Sequence, residues 1–112
     1  MSQITTHILD TSSGMPAQDV AVSLFRQEEQ RWTCVVEGVT NKDGRITDLL
    51  AKDVIIPAGI YKLRFETKIY FESRGITTFY PFIEVVFYIH GSEHYHVPLL
   101  LNPFGYSTYR GT

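Results

Sequence analysis

The sequence predicts an all-β fold, an antiparallel sandwich or barrel of short strands, and two observations predict it. Turn signals recur along the chain, each joining Gly or Pro to residues that stabilise turns locally: Ser12-Ser13-Gly14-Met15-Pro16, Asn41-Lys42-Asp43-Gly44, Pro57-Ala58-Gly59, His90-Gly91-Ser92-Glu93 and Asn102-Pro103-Phe104-Gly105. Between them lie short runs rich in Val, Ile, Thr, Phe and Tyr, residues that suit a pleated and half-buried surface. Strands are expected at about 3–10, 20–26, 31–39, 45–50, 59–67, 82–90, 94–101 and 104–110. Their short and regular spacing is that of a sandwich or barrel.

The first strand alternates cleanly. Ile4, Thr6 and Ile8 share one face, and Thr5, His7 and Leu9 share the other. The segment Thr67–Gly75 breaks the β pattern and reads as a short helix stopped by Gly75. Two turns are marginal alone, so Tyr70 and Phe71 must pack against the sheet. In the 82–90 run Ile83, Val85, Phe87 and Ile89 oppose Glu84, Val86 and Tyr88. In the next, Tyr95, Val97, Leu99 and Leu101 oppose His94, His96, Pro98 and Leu100. Neither face of these late strands is purely polar, which predicts a second burial surface between subunits. Pro98 cannot donate to a ladder and is expected at a sheet edge or a bulge.

Length and charge narrow the function. The chain has 112 residues, 44% hydrophobic and 20% charged, with a net charge of -2, so residues 1–112 are expected to form one domain with an apolar core of its own. Ten Lys and Arg against twelve Asp and Glu leave no basic stripe for a row of phosphates, which argues against nucleic acid. No window approaches the roughly 18 apolar residues of a membrane helix, and the opening Met1-Ser2-Gln3-Ile4-Thr5-Thr6-His7 carries no secretory signature, so a cytoplasmic protein is expected. Cys34 has no cysteine partner and is expected as a small core hydrophobe.

Four histidines stand out: His7, His90, His94 and His96. His94 and His96, two apart on a strand, have the spacing to share an ion with His7. Glu93 is the one acid beside them, and a metal-free reading is preferred. The other use of paired imidazoles near neutral pH is to take a proton from water and return it to a leaving group. Neither Ser nor Cys sits in a nucleophile elbow, so a hydrolase built from these residues would activate water directly. Arg45 follows a turn, and Tyr109-Arg110-Gly111-Thr112 close the sequence; position alone makes the first a solvated arginine and the second a frayed end.

Four patches taken together resemble the 5-hydroxyisourate hydrolases, the transthyretin-related enzymes of urate breakdown. They are His7-Ile8-Leu9-Asp10 with Gly14-Met15-Pro16-Ala17, the turn Asp43-Gly44-Arg45, the stretch from His94 to Leu100, and the tail from Tyr106 to Thr112. The resemblance covers essentially the whole chain. It implies a transthyretin-like sandwich of two four-stranded sheets with one short helix, assembled as a homotetramer with sites at the dimer-dimer interface. It implies hydrolysis of the small molecule 5-hydroxyisourate without cofactor or metal, with His7, Arg45 and His96 catalytic and Tyr109, Arg110, Gly111 and Thr112 binding substrate. Thr112 stands where the family more often ends in serine; both offer a hydroxyl. A hormone carrier like vertebrate transthyretin fits less well, because it lacks these histidines and the Tyr-Arg-Gly ending. A plain β-sandwich interaction module leaves both patterns without a reason.

Overall fold

A computed structural model describes residues 2–112. The strands are β1 (Ile4–Asp10), β2 (Met15–Pro16), β3 (Ala21–Glu28), β4 (Arg31–Val39), β5 (Arg45–Ile46), β6 (Gly59–Phe65), β7 (Ile83–Ile89), β8 (Tyr95–Asn102) and β9 (Gly105–Thr108), with helix α1 over Thr67–Glu72. One sheet runs β4-β3-β6-β7; the other runs β2-β1-β8-β9, with β5 also paired to β1. One sheet therefore has the expected four strands, and the other has five, two of which, β2 and β5, are only two residues long. Two residues are too few to show a period, which is why β2 escapes the sequence and β5 is shorter than the expected 45–50. All pairings are antiparallel except β1 with β8, which is parallel, with Thr5 opposite His96 and His7 opposite Pro98.

The core forms where the inner faces of the two sheets meet. Ile8, Leu99 and Leu101 from one sheet and Leu24, Leu63 and Phe65 from the other are fully or almost fully buried. Each such side chain contributes about 1.5–3 kcal/mol by leaving water. The alternation expected on β1 and β8 holds: Ile4, Thr6 and Ile8, with Tyr95, Val97, Leu99 and Leu101, face inward. α1 is held as expected, with Tyr70 and Phe71 buried and their rings edge-to-face at 5.1 Å. The Tyr70 hydroxyl donates to Asp10 Oδ2 at 2.8 Å, which pins the helix to the end of β1. Burial and that carboxylate push the Tyr70 hydroxyl up to about 12. Gly75 lies at φ +69, where the Ile76 N–H reaches back to the Phe71 carbonyl and closes the helix.

Two expectations fail. Cys34 is exposed rather than buried. A register shift between Leu24 and Phe25 pairs Leu24 with Val36 and Phe25 with Cys34, so the bulged strand half-buries Val35 and Val36 in succession and turns Cys34 outward. Pro98 sits on β8, an interior strand between β1 and β9, and not at an edge. The ladder to β9 stops at Leu99–Thr108 and resumes only at the bridge between His96 and Gly111. The Gly111 N–H donates to the His96 carbonyl, so main-chain groups at that position face β9. Pro98, two residues on, faces the same way and has no N–H to give. Thr108 Oγ1 donates to its carbonyl at 2.7 Å instead.

The turn before β5 positions Arg45. Asn41 Oδ1 accepts the N–H groups of Asp43 and Arg45, and the Gly44 carbonyl accepts the Ile8 N–H at 2.8 Å, so the turn is docked on β1. Gly44 lies at φ +72, and a Cβ there would stand 2.5 Å from the Ile8 carbonyl oxygen. Gly44→Ala should therefore destabilise the fold by about 2–4 kcal/mol, from backbone strain and lost docking together. An unchanged denaturant midpoint would contradict this account of the turn.

Candidate active site

The outer face of β1 and β8 gathers most of the side chains singled out in the sequence. Parallel pairing sets Thr5 beside His96, and antiparallel pairing with β5 sets His7 beside Arg45. A cleft of about 140 Å³ is lined by Thr5, Arg45, His94, His96 and Thr112, among others. His7 lies on the same face of β1, against Arg45, and close enough to His96 for the two imidazoles to influence each other's charge.

Burial, then the Arg45 guanidinium, lower the His7 pKa from the ordinary 6.5, while the Asp43 carbonyl opposes the shift. His96 is lowered by burial first, then by Arg45, His94 and His7, against an opposing pull from the Thr5 main chain. Both imidazoles are thus held neutral near pH 7 beside a fixed positive charge. Neutral imidazole can accept a proton, and Arg45 can attract negative charge that develops nearby. The His94 and His96 rings stack at 6.3 Å and 19°. Among the described residues, no group of three or more His, Cys, Asp and Glu side chains is arranged to hold a metal ion.

The closing segment divides. Gly111 and Thr112 lie at the histidine cleft, Gly111 bridged to His96. Tyr109 and Arg110 line a separate cleft of about 350 Å³ between the β7 edge, with Val85 to Tyr88, and Tyr95 and Val97 of β8. Arg110 lies over the Tyr95 ring at 4.4 Å and its Nη2 donates to the His94 carbonyl at 3.4 Å. Within this chain it fastens the tail. His90 is exposed and stacked on Tyr88 at 5.3 Å, away from the histidine cleft. Thr5 and His94 belong to the cleft although the sequence analysis gave Thr5 no role; its place two residues before His7, on the same face, is the signal that was available.

An antiparallel-rich sandwich with paired histidines and an arginine on one outer sheet face defines a class of small β proteins with a polar cleft. The profile of the HIUase/Transthyretin family matches residues 4–111, and the chain belongs to that family. Mouse 5-hydroxyisourate hydrolase is 48% identical, with 99% of this chain and 96% of that protein aligned. The probable 5-hydroxyisourate hydrolase of Schizosaccharomyces pombe is 46% identical over 97% of this chain and 90% of its own length. The solved Klebsiella pneumoniae 5-hydroxyisourate hydrolase superposes with a TM-score of 0.86 at 40% identity, covering 97% of this chain and 98% of that one. Sea bream transthyretin in complex with thyroxine superposes with a TM-score of 0.91 at 37% identity, covering 99% of this chain and 96% of that one. Among the described residues, no helix is long and apolar enough to cross a membrane.

Gly111 tests how tightly the tail meets the histidine. A Cβ at that position would lie 2.5 Å from His96 Cδ2 and 3.3 Å from Pro98 Cγ. Gly111→Ala should shift the His96 ring resonances in proton-carbon NMR spectra and cost about 1–3 kcal/mol of stability through overpacking. Wild-type ring signals in a folded variant would show that the contact does not constrain His96.

Proposed function

We propose that this protein hydrolyses 5-hydroxyisourate to 2-oxo-4-hydroxy-4-carboxy-5-ureidoimidazoline, with water activated by histidine and no covalent intermediate. The observation that carries the reading is the cleft in which neutral His96, near His7, meets the Arg45 guanidinium and the Thr112 end of the tail. Its support from relatives is the family membership and the high identity to hydrolases of that name.

The substrate is a small, planar, readily ionised heterocycle, and the reaction opens its N1-C6 bond. His96 takes a proton from water as the oxygen bonds to C6, and His7, beside it, orients that water or shares its proton. Arg45 offers its planar fork to the carbonyl oxygen on which charge builds. Collapse of the tetrahedral intermediate breaks the bond to N1, which takes the proton back. Thr112 and Gly111 close one side of the cleft. Tyr109 and Arg110 act on substrate through a neighbouring subunit, or through the posture of their own tail, since within one chain they face the β7 edge.

A homotetramer with sites at the dimer-dimer interface accompanies this reading. The support is apolar surface left open on the outer faces: Val86 and Tyr88 on the edge strand β7 are 58% and 62% exposed, and Met15 and Phe104 are similarly uncovered. The close superposition on a transthyretin bound to thyroxine keeps a carrier as the competing function of the same scaffold. The clustered imidazoles and arginine favour chemistry over simple apolar binding.

Generating 5-hydroxyisourate from urate and following its ultraviolet decay decides between them. The protein should accelerate decay, and His96→Ala should lose at least about 100-fold in turnover while keeping the assembly. No acceleration by folded protein would leave the carrier reading. The pH profile gives a second check. A base must be unprotonated to act, and the His96 pKa lies below 6.5, so kcat/KM should be full above that value. Activity should then fall as the pH drops through the lower folded-state pKa. An acid limb centred above 6.5 would contradict the electrostatics of the cleft.

A further inference from the structure

One hydroxyl stands between two imidazoles. Thr5 Oγ1 lies 2.8 Å from His94 Nε2 and 2.8 Å from His96 Nδ1. A threonine hydroxyl carries a single hydrogen, so it donates to one ring and must accept an N–H from the other. Thr5 is 4% exposed and paired through its backbone with His96, which denies the hydroxyl a free choice of water partners. The stacking of the two rings fixes their orientation toward it.

Resting on the reading of His96 as the group that activates water, we propose that Thr5 is a positioning residue that holds His96 in its Nδ1–H tautomer and passes its proton to His94. Because Nδ1 is engaged by Thr5, Nε2 is the nitrogen left for the cleft. A base needs its lone pair there. That requirement places hydrogen on Nδ1, which donates to Thr5 Oγ1, and the Thr5 O–H then donates to His94 Nε2. The reverse arrangement puts hydrogen on His96 Nε2 and turns it into a donor.

The proton count closes. As Nε2 takes a proton from water, the Nδ1 proton moves to Thr5 Oγ1 and the Thr5 proton moves to His94 Nε2. Thr5 gains one proton and loses one, His96 ends neutral with hydrogen on Nε2, and the positive charge rests on His94. The reverse sequence frees the Nε2 proton for the leaving nitrogen. The groups facing His96 are His7 from β1, Arg45 from β5 and His94 from the residue just before β8, with Thr112 approaching from the tail. Charge on His96 is opposed by all three cationic or basic neighbours, and export to His94 moves it outward. His94 is exposed and also lines a neighbouring cleft of about 190 Å³, so it connects the site to solvent.

Thr5→Val removes the hydroxyl at nearly constant volume, and Thr5→Ser keeps it. Nitrogen-15 NMR of the imidazoles should show His96 as the Nδ1–H tautomer in the unaltered protein and lose that preference in Thr5→Val. Turnover of 5-hydroxyisourate should fall about 10- to 100-fold in kcat with KM little changed, and Thr5→Ser should recover most of it. His94→Phe should lower kcat in the same range, and the acid limb of the rate profile should move in both impaired variants. An Nε2–H tautomer in the unaltered protein, or a Thr5→Val enzyme within twofold of it in kcat, would overturn the proposal. An unchanged kcat in His94→Phe would overturn the transfer step. If the unaltered protein does not turn the substrate over, the hydrolase reading fails, and the tautomer measurement still decides what Thr5 does.

Discussion

The parallel register between β1 and β8 is the constraint on which the site depends. It pairs Ile4 with Tyr95, Thr5 with His96 and His7 with Pro98, and so keeps Ile4, Ile8, Tyr95 and Leu99 on the core side and His7 and His96 outside. Side chains alternate with a period of two, so a slip by one residue would oppose Thr5 to Tyr95 or Val97 and bring ionisable groups against the core. The fully buried Ile8 and Leu99 resist that slip with several kcal/mol of apolar burial. Chemistry on the outer face is thus registered by packing on the inner face. β5 adds Arg45 through the same strand, because its turn is docked on the Ile8 amide.

Electrostatics follows from the geometry. Packing two imidazoles and a guanidinium onto one half-covered sheet face makes each a penalty for protonating the others, and burial adds to it. No acid side chain is needed to keep the histidines neutral. Of the acids nearby, Asp43 only partly offsets the lowering at His7, Glu93 accepts the Tyr95 hydroxyl at 2.6 Å, and Asp10 is spent on Tyr70 and Ser12 at the far end of β1. The hydroxyls of Thr5 and Thr6 fill the remaining donor and acceptor needs, the first between rings and the second on the Val97 carbonyl.

Much of this was legible in the sequence, and the illegible parts share a cause. Alternation separated Thr5 and His7 from Ile4 and Ile8, placed Tyr95, Val97, Leu99 and Leu101 together, and located α1 with its Gly75 stop, because each depends on local periodicity or on one residue's backbone freedom. The parallel pairing joins strands almost the whole chain apart, and no local pattern encodes it. Cys34 was misplaced because a bulge resets the alternation on β4 without any Gly or Pro to announce it. β2 and β5 are too short to carry a period. His7, Arg45 and His96 emerged as a set through family resemblance, since spacing alone could not bring the three together.

The tail shows how a single residue couples two surfaces. Pro98 withholds the amide that would have continued the ladder opposite Tyr109, so the chain leaves β8 after Thr108 and returns only at Gly111. The released residues turn toward the β7 edge, where Arg110 lies over Tyr95 and reaches the His94 carbonyl. The returning residue must be small, because His96 Cδ2 occupies the space a Cβ would take. Tyr95 and His96 are consecutive on β8 and point to opposite faces, so the tail grips both sides of the strand that carries His96. Tyr109 and Arg110 at the β7 edge are followed directly by Gly111 against His96 and Thr112 in its cleft, so one short segment of chain joins the two clefts.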